Sequence, residues 1–347
     1  MSDPAACAHG PAPLPGPRGP VSAALVDAWR EPPHDLPAHL DCDPADPLTD
    51  EDLQLTLFLC YELHYRGWGG VDEAWEWQPS LLALRARVER RFEAALRRLV
   101  GPLPPVEPAD LPVALTALAR ADDGPSLAAT LHRQATLAQF REFVTHRSIY
   151  HLKEADPHTW AIPRLGGAVK AALVEIQADE YGGGRPERMH AELFRLTLDR
   201  LGLDTGYAAH LDAVPGVTLA TSNVISLFGL HRRLRGALVG HLAAFEMTSS
   251  LPNRRYGNGL RRLGFDEVAT RFYDEHVEAD AVHEQIAAYD LCGGLARAEP
   301  DLTGDVLFGA AACLAVDRLF AGHLLTRWAD GRSSLRPTSV GPVPLAA

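Results

Sequence analysis

In the stretch Phe272 to Ala287, FYDEHVEADAVHEQIA, His276, Asp280 and His283 stand at i, i+4 and i+7. On a helix that spacing projects all three from one face. The rest of that face is apolar, with Phe272, Ala279, Ile286 and Ala287, whereas Glu275, Glu278 and Glu284 fall on other faces. An apolar stripe demands other helices around it, and two imidazoles and a carboxylate within the stripe demand partners, because burying them alone is costly. A metal ion is one such partner, since imidazole and carboxylate together suit iron, manganese or zinc. A hydrogen-bonded polar cluster on a partly wet helix is the plain structural alternative.

Helical periodicity continues through most of the chain. The pattern predicts helices over Asp50 to His64, Ser80 to Val100 and Asp110 to Arg120, with Asp50 and Ser80 as N-caps. A long helix opens at Ser126 and runs to about Asp156, before Pro157. Others cover Pro163 to Tyr181, the stretch from Pro186 to Leu201, Thr218 to Leu230, His231 to Met247, Phe265 to Leu291 and Leu302 to Trp328. SSLPNRRYGNG reads as a loop. Sustained two-residue alternation is missing, as is an Asn-Gly hairpin signal, so the fold class is all-α. The expected organisation is a loose Pro/Ala-rich segment over residues 1–48 and a helical arm over 49–125. The main helical domain then covers 126–330, with a tail at 331–347.

At 347 residues and 46% hydrophobic content the chain can bury a large core. A net charge of −12 without a basic aromatic patch argues against nucleic acid. The chain contains no run of 18 apolar residues and no signal-peptide pattern, so no membrane partner is expected. Five scattered cysteines without a CxxC pair predict a reduced, cytoplasmic protein.

A buried metal cluster needs ligands from several helices, commonly carboxylates together with Glu-x-x-His units. Glu187-x-x-His190 has that form, and His190 shares its helix face with Leu193 and Phe194. Glu246 ends the stripe Leu238, Val239, Leu242. Glu180 lies on the stripe Val169, Leu173, Ile176, whereas Glu175 is rotated away. Glu154 ends the stripe Phe140, Phe143, Tyr150. Each has a structural alternative, a core histidine or a helix-end acid reaching water. Glu154, Glu180, Glu246 and Asp280 together match the charge of two ferrous ions, and a neutral cluster is what a buried site tolerates. Arg147 shares an inward stripe with Tyr150 and can clamp a substrate carboxylate, or form a structural ion pair. Tyr181, beside Glu180, is placed to hydrogen-bond a ligand. His151 and His241 read as core residues or supports of the ligands.

The spacing of His276, Asp280 and His283, with Glu180 ten residues before His190 and Glu246 some way beyond, resembles the haem-oxygenase-like di-iron oxidases. The resemblance covers residues 130 to 330. It implies a haem-oxygenase-like helical bundle binding two Fe(II) through Glu154, Glu180, His190, Glu246, His276, Asp280 and His283. It also implies O2 as co-substrate, a small-molecule amine-type substrate and an external electron donor. Members differ in whether the glutamate near the histidine matches Glu180 or Glu187; if Glu187 is not a ligand, it is the candidate base. The implied activity is N-oxygenation of an amine, amidine or guanidine in natural-product biosynthesis. Desaturation or carbon–carbon cleavage is the alternative within the family, and a haem-binding or non-catalytic scaffold the alternative outside it. No β-rich segment follows the helices, so the appended barrel that some members carry is not expected. A homodimer through the arm is also expected.

Overall fold

The computed structural model describes residues 10–121 and 124–337, apart from the side chains of 278–282. Among the described residues the chain is helical, with no strand; one isolated bridge joins Ala12 to Trp68. The helices are α1 (Pro20–Ala28), α2 (Glu51–Glu62), α3 (Pro79–Val100), α4 (Leu111–Arg120), α5 (Leu127–Arg133), α6 (Leu137–His151) and α7 (Gly167–Glu180). They continue with α8 (His190–Arg200), α9 (Gly216–Leu230), α10 (Arg235–Thr248), α11 (Ser250–Arg262), α12 (Glu267–Gln285), α13 (Gly293–Ala298) and α14 (Thr303–Ala329).

Helix α10 packs along α14. A Cβ on Gly240 would lie 1.8 Å from the Val306 carbonyl oxygen, and one on Gly309 would lie 1.9 Å from that of Ala237. Glycine at both positions lets the two backbones touch. By length and composition the stretch Pro300–Ala329 passes for a membrane span, but 67% of its most apolar window is buried inside the protein. Here α14 spends its apolar surface on α9 and α10.

The N-terminal helices join the same core. All of α2 except its first residue is buried, and it lies along α9. The Asn223 amide donates to the Gln54 carbonyl at 2.8 Å and to its side-chain oxygen at 2.7 Å. Residues expected to form an arm are therefore continuous with the bundle at α2. α1 in turn covers α2, its Val21 and Ser22 amides donating to Asp52.

Several sequence expectations need correction. The helix expected from Ser126 to Asp156 is two helices. Thr136 and Gln139 form a capping box, with the Thr136 amide donating to Gln139 Oε1 at 2.9 Å and the Gln139 amide to Thr136 Oγ1 at 3.2 Å. Ser80 is not a cap; Gln78 holds that position, and Ser80 Oγ accepts from the Leu36 amide. The expected loop SSLPNRRYGNG is α11. It is helical because it packs on α5 and α12, with Gly259 so close to α5 that a Cβ would lie 2.7 Å from the Leu131 carbonyl. Beyond α12 the helix widens into a π-helical turn over Ile286–Cys292 and continues as α13.

Candidate metal centre

Five elements converge on one buried cluster: the turn after α6, the C-terminus of α7, the N-terminus of α8, α10 and α12. Glu154, Glu180, His190 and His276 present ligand atoms that all lie within 4.8 Å of one another. Glu180, Glu246 and His283 form a second such group, so Glu180 belongs to both. Glu180 is the last residue of α7 and His190 the first of α8, and the glycine-rich hairpin between them folds the one onto the other. At Gly182 (φ 66°) a side chain would collide with the backbone of Arg188 and Met189 at 2.7 Å, so glycine is required for that close return.

The histidine tautomers follow from their outer partners. His276 Nδ1 donates to the Phe272 carbonyl at 2.8 Å, which leaves the lone pair on Nε2, 3.8 Å from Glu154 Oε1. His283 Nε2 lies 3.0 Å from Asp179 Oδ2, which leaves Nδ1 facing Glu246 at 3.3 Å. A carboxylate or carbonyl behind the imidazole is the usual support of a metal-binding histidine. His151 Nδ1 donates to Glu154 Oε2 at 2.5 Å and fixes that carboxylate from the other side.

Two buried nitrogens test whether a metal fits. His190 Nδ1 is 3.0 Å from Glu180 Oε2 and His283 Nδ1 is 3.3 Å from Glu246 Oε2. Neither nitrogen has a partner in hydrogen-bonding alignment. Lone pairs that crowd together without bonding to each other suit a cation between them, and the mixed imidazole–carboxylate set suits iron. The electrostatics agree. Burial raises the Glu246 carboxyl above its usual range and the nearby charge of Glu180 adds to that, against the pull of His283. Burial, with His190 beside it, lowers His276 to about 4. For His283 the effect of burial is outweighed by Glu246 and Asp179, and its imidazole rises to about 9. In His190 the Glu180 carboxylate likewise outweighs burial and raises the imidazole.

A cavity of about 60 Å³ opens onto the cluster between Tyr150, Phe245 and Gln177. It shares His151, Phe245, Ser249 and Asn253 with a neighbouring chamber of about 170 Å³, which is walled further by Arg147, Tyr256 and Asp317. Phe194 and Phe272 pack on His151.

The structure thus brings together six of the seven expected ligands: Glu154, Glu180, His190, Glu246, His276 and His283. The side chain of the seventh, Asp280, lies outside the described residues. Glu154 sits in the turn over residues 152–155, past the end of α6, rather than on the helix expected there. The other expectations are corrected. Glu187 is exposed on a 3₁₀ turn and belongs to neither group, because the helix starts only at His190. The Tyr181 hydroxyl donates to Asp156 at 2.8 Å and not to a member of the cluster. Arg147 pairs with Asp317 at 2.6 Å and stacks over Phe320, so the ion-pair alternative holds, although the pair does wall the outer chamber. Asp179 was not singled out by sequence, since an acid beside Glu180 carries no signal of its own. Nor was His158, which lines the cavity and meets His241 at 3.4 Å.

Residues 141–318 match the family model for iron-containing redox enzymes. Nitrosourea synthase of Streptomyces achromogenes subsp. streptozoticus is 28% identical over 152 residues, covering 43% of this chain and 32% of that protein. The chain therefore spans about a third of the length of that curated relative. Among solved structures, a CADD-like protein of unknown function from Nostoc punctiforme PCC 73102 superposes with a TM-score of 0.50 at 18% identity, covering 62% of this chain and 96% of that one. A second crystal structure of it, at 1.35 Å resolution, gives 0.49 at 17% identity, covering 64% and 95%. The family match spans just over half of the chain, includes every residue of the cluster, and agrees with an all-helical, haem-oxygenase-like fold: the chain belongs to the iron-containing redox enzymes and is an oxidoreductase.

Proposed function

We propose that the protein is a non-haem di-iron oxygenase that uses O2 to oxygenate an amine, amidine or guanidine nitrogen of a small molecule. The observation that carries this reading is the membership of Glu180 in both ligand groups, because a shared carboxylate is what couples two ions into one centre. Glu154, His190 and His276 would hold one iron and Glu246 and His283 the other, with Asp280 as a further candidate ligand of the pair. Two bound ferrous ions would supply electrons and open positions for O2.

The protein's own part is to hold, orient and exclude. Phe272 and Asp179 fix which nitrogen of His276 and of His283 faces the cluster. His151 holds Glu154 and is itself packed by Phe194 and Phe272, and the rings of Tyr150 and Phe245 give the cavity apolar walls. Nitrogen as the oxidised atom is supported by the relative named for nitrosourea synthesis, since a nitrosourea contains oxidised nitrogen. The reaction would also need an external electron donor.

The test is anaerobic loading with Fe(II), iron analysis, and reaction with isotopically labelled O2 and a panel of amines and guanidines. About two irons per chain and a labelled oxygen on nitrogen are the expected results. Loss of a carbon fragment or of two hydrogens would reassign the reaction to cleavage or desaturation. A protein that takes up no iron would end the proposal.

A further inference from the structure

Among the described cluster residues, only Glu154 lies outside a regular helix. Backbone bonds brace its turn, the Lys153 amide donating to the Tyr150 carbonyl and the Asp156 amide to that of Lys153. His151 holds the carboxylate of this ligand, and a further hold on its turn comes from the N-terminal part of the chain. The Lys153 ammonium, adjacent to Glu154, donates to Glu62 Oε2 at 2.7 Å, with both side chains sealed from solvent. The same ammonium lies over the rings of Phe58 at 4.5 Å and Tyr65 at 4.6 Å. Glu62 Oε1 accepts from the Tyr207 hydroxyl at 2.7 Å. Arg66 stacks on the Tyr207 ring at 4.0 Å and reaches the Leu152 carbonyl at 3.4 Å.

Phe58, Glu62, Tyr65 and Arg66 precede the segment that matches the family model. A fully buried ion pair is a poor device for stability alone, since well-packed apolar residues of similar volume commonly do as well or better. What such a pair adds is direction, through hydrogen bonds that tolerate one geometry. We propose that Glu62 is a positioning residue of the metal centre: through Lys153 it sets the turn that aims Glu154 at the cluster. The N-terminal region is then part of the centre's scaffold. This inference rests on reading the cluster as a metal centre.

The experiment uses the full-length protein and compares wild type with Glu62→Leu and with the paired variant Glu62→Leu/Lys153→Met. Thermal melting reports stability. Anaerobic titration with Co(II), followed by its visible absorption, reports each ion separately and does not depend on turnover. Glu62→Leu leaves a lone buried ammonium and is expected to lower both the melting temperature and ion affinity. The paired variant is expected to recover the wild-type melting temperature while one ion stays about 10- to 100-fold weaker, the range for lost supports of ligands. The second ion, at Glu246 and His283, should be unchanged. A paired variant that recovers both stability and both affinities makes the ion pair merely structural and overturns the inference. If the pair does not fold, Tyr207→Phe decides, because it removes one hydrogen bond to Glu62 and leaves the ion pair. A several-fold weakening of the same ion supports positioning, and an unaltered titration overturns it. Wild type that binds no Co(II) would instead remove the metal reading itself.

Discussion

Replacing Gly240 with alanine tests the geometry on which the second ligand group depends. The new Cβ would sit 1.8 Å from the Val306 carbonyl oxygen, roughly 1.6 Å short of the 3.4 Å at which ordinary contact begins. The obstacle is backbone on both helices, so no side chain can rotate out of the way, and α10 must move away from α14. Overpacking where neighbours can adjust costs about 1–3 kcal/mol. Here the upper end of that range applies, offset by about 1 kcal/mol from the better helix propensity of alanine. The net loss is about 2 kcal/mol, which for a chain of this size lowers the melting temperature by about 3 °C. Glu246 lies six residues further along α10, about 9 Å along its axis, so the same movement displaces a proposed ligand. Gly322 on α14 is the control: nothing lies within 4 Å of its would-be Cβ, and alanine there should raise stability by up to about 1 kcal/mol. The assay is thermal and urea unfolding of the metal-free variants, followed by ion titration of each. A Gly240→Ala protein as stable as Gly322→Ala would refute the close crossing, and with it this account of how Glu246 is placed.

Because Glu180 belongs to both groups, Glu180→Gln should abolish binding of both ions, whereas Glu246→Gln should leave one; metal analysis after gel filtration distinguishes the two. Asp179→Asn weakens the acceptor behind His283 and should reduce affinity at that group about 10- to 100-fold, read by Co(II) titration, with little change in melting temperature. In the metal-free protein His283 is raised to about 9 from an unfolded value near 6.5, so its protonated form contributes stability in full below pH 6.5. That contribution is lost as pH rises through 9, so the melting temperature of metal-free protein should fall across this window. A bound ion displaces the proton, and metal-loaded protein should lack the slope; equal slopes in both forms would count against His283 as a ligand.

Much of the centre was legible in the chain because helical spacing reports direction. His276 and His283 share a face of α12, and Glu180 and Glu246 end apolar stripes, so burial of their polar atoms followed from pattern alone. Glu187 misled for the same reason. A Glu-x-x-His spacing implies a shared face only if the helix has begun, and here it begins at His190. The expected loop at α11 is helical instead, and at Gly259 the missing side chain serves close packing against Leu131. Tyr181 and Arg147 were expected to serve a ligand and a substrate, but their partners, Asp156 and Asp317, lie 25 and 170 residues away along the chain.

Local sequence thus determined most of the helices, their inward faces and the residue types offered to a metal, because these depend on neighbours within a turn or two. Tertiary structure alone decided that Glu180 meets both His190 and His283, that Asp179 backs an imidazole, and that Glu62 grips Lys153 from 91 residues away. Distances between helices depend on how their surfaces interlock, and no periodicity within one helix records that.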